Sequence, residues 1–261
     1  MSTTSTKLDG RVALVTGGSR GIGRAIALAL AAEGAAVAVN YRSGEAQAQE
    51  VVREIEGQGG RAVAVPGDVA DYGQAEAMIR QTVEALGGLH ILVNNAGIAR
   101  DGLIFNLKPD DWLDVMRINF GGVFNCTKAA MGQFMSQRDG VVINISSVMG
   151  ERGWIGESNY AASKGAINAF TRCAAVELAR FGVRVNAVLP GFSPTELVAG
   201  LVQKDGGKGI KKQIPMKDFG QVEEIAKVVA FLAGPDASYM TGAFVTVDGG
   251  ASTILGVGAP L

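Results

Sequence analysis

Val12-Ala13-Leu14-Val15-Thr16-Gly17-Gly18-Ser19-Arg20-Gly21-Ile22-Gly23 runs from a short apolar, β-branched segment through a glycine-rich turn into the apolar helix pattern Ala25–Leu30. Strand, glycine turn and helix therefore follow one another in that order. Glycine lets the main chain come close to a phosphate, and a helix N-terminus offers unpaired N–H groups at the positive end of its dipole. The spacing Gly17-x3-Gly21-x-Gly23 departs from G-x-G-x-x-G, but its place after a first strand points to a bound nucleotide pyrophosphate. Gly17, Ser19, Arg20, Gly21, Ile22 and Gly23 are thus candidate cofactor contacts.

The same alternation continues outward. Strands are expected near Val12–Thr16, Ala36–Asn40, Ala62–Val65, Leu89–Val93, Val141–Ser147, Val183–Leu189 and Phe244–Val247. Helix patterns fill the intervals at Gly21–Glu33, Glu45–Glu56, Gln74–Leu86, Asp110–Gln137, Asn159–Phe181 and Val222–Leu232. Continuous apolar strands separated by helices predict an α/β fold, a single doubly wound domain over residues 1–261 with a seven-stranded parallel sheet. From Phe192 to Phe219 the alternation breaks at Pro194, Gly206, Gly207, Gly209 and Pro215, which reads as a substrate lid or a plain surface insertion.

Composition removes other classes. The 261 residues carry 24 basic and 25 acidic groups, a formal charge of -1, which argues against a nucleic-acid binder. Cys126, Cys173 and the lone His90 cannot make a disulfide scaffold or a Cys/His zinc site, so no metal is expected. The longest apolar run, Ala25 to Ala32, is far short of the ~20 residues of a membrane helix, and the first ten residues lack a secretory signal. A cytoplasmic protein is the expectation.

The end of the second strand reads Val39-Asn40-Tyr41-Arg42-Ser43, without the acid that would bond an adenosine ribose 2′-OH. Arg20 and Arg42 could instead flank a 2′-phosphate, so NADP(H) is predicted over NAD(H), with Asn40 and Tyr41 beside it. Asp68-Val69 follows strand three, where Asp68 could accept from the adenine amino group; a helix N-cap is the rival role for Asp68 or Asp71.

Tyr160 and Lys164 stand four residues apart, on one helix face. A phenol with a pKa near 10 becomes an acid–base group at neutral pH when a cation favours its phenolate, and a lysine one turn away can supply that charge. Thirteen residues before Tyr160, Ser147 closes Asn144-Ile145-Ser146-Ser147 at a strand's C-terminus. With the glycine loop, Asn94-Asn95-Ala96-Gly97 and Pro190-Gly191, this order of motifs resembles the short-chain dehydrogenase/reductase family from about Arg11 to Gly250.

The resemblance implies a catalytic tetrad of Asn119, Ser147, Tyr160 and Lys164. Tyr160 would donate the proton in reduction, Lys164 would bind the nicotinamide ribose and lower the Tyr160 pKa, and Ser147 would hold the carbonyl. Asn119 would position a water on the lysine. Asn95, Ala96 and Gly97 would support the adenosine side, and Pro190, Gly191 and Thr195 the nicotinamide half, although Phe192-Ser193-Pro194 departs from the family's usual residues there.

Within the family the chain looks most like the 3-oxoacyl-acyl-carrier-protein and acetoacetyl-CoA reductases, which implies NADPH-dependent reduction of a 3-oxoacyl thioester. A broader ketone or secondary-alcohol oxidoreductase is the alternative, followed by a non-catalytic NADP-binding sensor. Arg138 sits where such reductases carry a basic residue for docking acyl carrier protein, and Lys204, Lys208, Lys211 and Lys212 make the lid cationic or are simply solvated. The resemblance also implies a homotetramer built on Asp110–Gln137, Asn159–Phe181 and the C-terminal strands, with the apolar tail Ile254–Leu261 at an interface. His90 reads as a core or strand-edge residue, both cysteines as small packed groups, and Trp112 and Trp154 as core or pocket wall.

Overall fold

The computed structural model describes residues 6–195 and 206–253; Lys204, the middle of the expected lid and the tail Ile254–Leu261 lie outside the described residues. Seven strands form one sheet: β1 (Val12–Val15), β2 (Ala36–Tyr41), β3 (Ala62–Pro66), β4 (Ile91–Asn94), β5 (Gly140–Ile145), β6 (Val183–Pro190) and β7 (Phe244–Val247). Their order is β3-β2-β1-β4-β5-β6-β7 and every neighbouring pair is parallel.

The apolar strand runs have a physical reason. Successive residues point to opposite faces, and both faces are covered. Ala13, Val15, Val37, Val39, Ile91 and Val93 pack with Ile26 and Leu30 of α1 (Gly21–Ala32), Val51 and Ile55 of α2 (Glu45–Gly57) and Val229 and Leu232 of α8 (Val222–Ala233). Val12, Leu14, Ala36, Ala38 and Leu92 pack on the other side with Met78 of α3 (Tyr72–Leu86), Phe134 of α5 (Gly122–Gln137) and Ala174 of α6 (Ser158–Leu178). His90 fills a strand-edge role, its Nδ1 accepting the Val12 amide at 3.0 Å. Cys126 is buried as expected, whereas Cys173 is exposed, because it falls on the outward face of α6.

The expected helix Asp110–Gln137 is one rod but not one register. It starts as α4 (Pro109–Val115), widens into a π turn at Met116–Gly121 and continues as α5. Apolar periodicity cannot resolve a single extra residue of this kind; such turns recur at functional positions. The ends of the expected lid include α7 (Lys208–Lys211) and pack Phe192, Ile210, Ile214 and Phe219 onto Val148, Met149 and Leu189.

Chain connections leave β1 toward β2 and β4 in opposite directions across the sheet. The crevice at the carboxyl ends of these strands is where such a sheet accepts ligands.

Candidate active site

The first half of the crevice is built from backbone. Thr16 Oγ1 accepts the amides of Asn95 at 2.9 Å and Ala96 at 3.0 Å, and Asn95 Nδ2 donates to the carbonyls of Thr16 at 2.9 Å and Gly17 at 3.2 Å. A Cβ on Gly23 would stand 2.2 Å from the Gly17 oxygen and 2.5 Å from Asn95 Nδ2, and Gly17 and Gly21 have positive φ. Asn40 ties the turn to β2, its Oδ1 accepting the Gly17 amide at 3.1 Å and its carbonyl the Gly18 amide at 2.9 Å. The first turn of α1 has no side-chain cap and no acid. That leaves a glycine-walled hollow over a positive helix end, which fits the pyrophosphate of a dinucleotide.

Gly17, Ser19, Arg20, Gly21, Ile22, Gly23, Asn40, Tyr41, Arg42, Asp68, Val69, Asn95, Ala96 and Gly97 share one cleft with Ser147, Tyr160, Lys164, Pro190, Gly191 and Thr195. Asp71, not Asp68, caps α3, accepting the Gln74 amide at 2.8 Å. Asp68 faces the cleft 3.9 Å from Arg42 and accepts the Ala70 amide at 2.9 Å.

The second half is built from side chains. Ser147 follows β5, its Oγ accepting the Met149 amide at 3.1 Å. Lys164 is buried, donates to the Ile145 carbonyl at 2.8 Å and lies 5.5 Å from the centre of the Tyr160 ring. Burial pushes the Lys164 ammonium down to about 8. Burial likewise pushes the Tyr160 phenol well above its ordinary range; the hydrogen bond with Ser147 opposes this, and the charges of Glu157 and Asp101 add to it. Desolvation is thus the largest influence on the phenol, and it acts in the direction opposite to the lowering expected of Lys164.

Asn119 does not reach the cleft with its side chain. Oδ1 accepts the Ile98 amide at 2.8 Å, and Nδ2 donates to the Ile98 carbonyl at 3.0 Å and to Ser163 Oγ at 3.1 Å. Ser163 Oγ in turn donates to the Tyr160 carbonyl at 2.7 Å. The π turn thus ties the loop after β4 to the tyrosine's helix. Beneath lies a buried relay in which Asn94 Nδ2 donates to Asn144 Oδ1, and Asn144 Nδ2 to Thr171 Oγ1, both at 2.9 Å.

The family model described as Enoyl-(Acyl carrier protein) reductase matches residues 17–252. A short-chain type dehydrogenase/reductase from Mycobacterium marinum shares 36% identity and a TM-score of 0.89, over 94% of this chain and 96% of its own. The chain belongs to the short-chain dehydrogenase/reductase family. Among such relatives, the 3-oxoacyl-[acyl-carrier-protein] reductase FabG of Staphylococcus aureus (strain Mu50) is 47% identical over 238 residues, 91% of this chain and 96% of that protein. The 3-oxoacyl-[acyl-carrier-protein] reductase of Synechocystis sp. is 46% identical over 246 residues, 94% of this chain and 98% of that one. A gluconate 5-dehydrogenase from Burkholderia cenocepacia, solved with NADP and tartrate, has a TM-score of 0.91 at 37% identity, covering 95% and 98%. The chain is accordingly an oxidoreductase of this short-chain family that uses a nicotinamide cofactor.

Two expected features lie elsewhere. Arg138 stands just before β5, so a strand of six residues, roughly 20 Å, separates it from the cleft of its own chain. Its guanidinium donates to the Arg180 carbonyl at 3.0 Å. Lys211 is paired with Asp218 at 2.6 Å and overlies Phe219. Conversely, Asp101, Met149 and Glu157 line the cleft without having been singled out. Glu157 was findable, standing one helical turn before Tyr160; Asp101 reaches the site only through the fold. Trp154 packs edge-on at 5.3 Å against Phe192, which lines the cleft, whereas Trp112, expected in the core or pocket wall, is exposed. Among the described residues no helix is long and apolar enough to cross a membrane, and no group of three His, Cys, Asp or Glu side chains could hold a metal.

Proposed function

We propose that this protein reduces a 3-oxoacyl thioester, carried on acyl carrier protein or coenzyme A, to the 3-hydroxyacyl thioester with NADPH. The observation that carries it is the meeting of Ser147 and Tyr160 above buried Lys164 at the end of a glycine-walled cleft. Identity of 46–47% to 3-oxoacyl-[acyl-carrier-protein] reductases along more than nine-tenths of the chain supports the substrate class.

NADPH supplies the hydride when bound. The amides of Ser19–Gly23 would hold its pyrophosphate, Arg20 and Arg42 would flank the 2′-phosphate, and Asp68 and Val69 would border the adenine. Asn95, Ala96 and Gly97 line the cleft, and Pro190, Gly191 and Thr195 would border the nicotinamide. Lys164 spends one proton on the Ile145 carbonyl and has two left for ribose hydroxyls. Ser147 and Tyr160 donate to the carbonyl oxygen, where negative charge develops. A raised phenol pKa suits this direction, since Tyr160 is a protonated acid at neutral pH and gives its proton to the alkoxide. Asn119 acts as a positioning residue, through Ser163 and Ile98.

The protein is read as a single cytosolic domain, consistent with its two free cysteines, with the described ends of the 192–219 segment as the walls of a substrate lid. Exposed Phe124 on α5 and Val176 on α6 support a homotetramer paired through these helices. A second reading, oxidoreduction of a polyol ketone, is favoured by the likeness to the gluconate 5-dehydrogenase.

The test is initial-rate NADPH oxidation with acetoacetyl-CoA, a 2-enoyl thioester and 5-ketogluconate, repeated with NADH and with Arg42→Glu. Rapid turnover of acetoacetyl-CoA alone, with NADPH preferred and the preference reduced at least tenfold in the variant, supports the proposal. Turnover confined to 5-ketogluconate moves the assignment to the second reading.

A further inference from the structure

Two loops meet at the open side of the reacting end. The Gly102 amide donates to the Gly156 carbonyl at 2.8 Å, and Asn159 Nδ2 donates to the Arg100 carbonyl at 2.9 Å. These bonds bring Asp101, from the loop after β4, to the same cleft as Glu157, the residue that precedes α6. Glu157 stands at the entry to α6, three residues before Tyr160, and its carbonyl accepts the Ala161 amide at 2.8 Å.

Among the described residues, the charges around Glu157 come from few places. Asp101 faces it from the β4 loop, and Tyr160 and Lys164 follow it on α6, with the Lys164 ammonium held by the Ile145 carbonyl. Arg100 lies 3.9 Å from Asp111, and the segment Gly191–Thr195 brings no charged group. Burial, reinforced by the Asp101 charge, pushes the Glu157 carboxyl up to about 7. Burial also raises Asp101. Near neutrality Glu157 thus exists in two forms with opposite hydrogen-bonding character: the acid donates, whereas the carboxylate only accepts.

A 3-oxoacyl thioester presents two acceptor oxygens, one on the reacting ketone and one on the thioester carbonyl beyond a single methylene. Ser147 and Tyr160 engage the first. We propose that Glu157 is a specificity-determining residue whose protonated carboxyl donates a hydrogen bond to the thioester carbonyl. Substrate affinity then falls as Glu157 ionises, and Asp101 sets where that happens. A ketone lacking the second oxygen gains nothing from the contact. The inference rests on the 3-oxoacyl reading of the site.

The experiment measures KM and kcat for acetoacetyl-CoA, and for a simple monoketone, between pH 6 and 9 with saturating NADPH. In the wild type KM for the thioester rises with pH through roughly 7, by at most tenfold per unit, to a plateau at or above the Glu157→Ala value. Glu157→Gln, whose amide donates at every pH, has a flat and low KM; Glu157→Ala has a flat and high one. Asp101→Asn moves the rise to lower pH, because the charge that held the proton on Glu157 is gone. Monoketone KM is flat in every variant. A rise that persists unchanged in Glu157→Gln, or that the monoketone shares, overturns the inference while leaving the thioester reading intact. Monoketone reduction with no thioester turnover at any pH removes the thioester reading, and the inference with it.

Discussion

The two ends of the cleft are made of different material. At the nucleotide end the contacts come from backbone, and what matters is the side chains that are missing: without a Cβ, Gly17 and Gly23 let the turn close on Asn95 and Ala96, and Gly17 and Gly21 take positive φ. At the reacting end the backbone is ordinary strand and helix, and what matters is the functional groups of Ser147, Tyr160 and Lys164, held half-buried or buried. The first end fails when an atom is added, and the second when one is removed. Binding and chemistry are therefore separable by mutation.

The largest expected effect removes one oxygen. Tyr160→Phe lowers kcat by about 10²–10⁴, the usual contribution of a general acid, with NADPH affinity unchanged in a fluorescence titration. Equal losses in turnover and in NADPH affinity would break the separation. Next comes the stability that the reacting end sacrifices. Lys164 is pushed down to about 8 by burial, so between pH 8 and 10.5 the unfolded chain binds more protons than the folded one, and stability rises with pH. Comparing wild type with Lys164→Met by urea unfolding, without cofactor, the balance shifts toward the wild type by about 3 kcal/mol as pH rises through that window. A pH-independent difference would mean that the ammonium is not desolvated. The smallest effect adds one carbon. Gly23→Ala places a Cβ against the Gly17 carbonyl and lowers stability by about 1–3 kcal/mol, and NADPH affinity falls, while residual turnover at saturating cofactor keeps its kcat.

What the sequence disclosed follows the same division. The strand–glycine–helix unit is local, so its twelve residues sufficed to place a nucleotide on α1, and Tyr160 and Lys164 are one turn apart on one helix. The seven strands were legible because both faces are covered, which writes them as unbroken apolar runs. Contacts made across the sheet were not legible. Asn40 looked like a cofactor contact, and it does line the cleft, but its amide is also the brace for Gly17 and donates to the carbonyls of Val65 and Gly67. Asp68 and Asp71 could not be told apart until the start of α3 chose Asp71. Asp101 and Glu157 are 56 residues apart, and nothing local announces that Gly102 and Gly156 bond. The place of Arg138 relative to the cleft was not legible either: the direction of β5 sets it at the opposite end of the strand.

The π turn at Met116–Gly121 has a consequence for how this rod can vary. One extra residue rotates everything after it by about 100° relative to an unbroken helix, so α4 and α5 share an axis while their faces are phased independently. The phase of α5 is fixed by its packing against α3, and that of α4 by its packing against α6; the wide turn is the gearing between them, with Asn119 as the tooth that meshes with Ser163. Deleting a single residue there would keep the rod helical but put the two halves out of mesh.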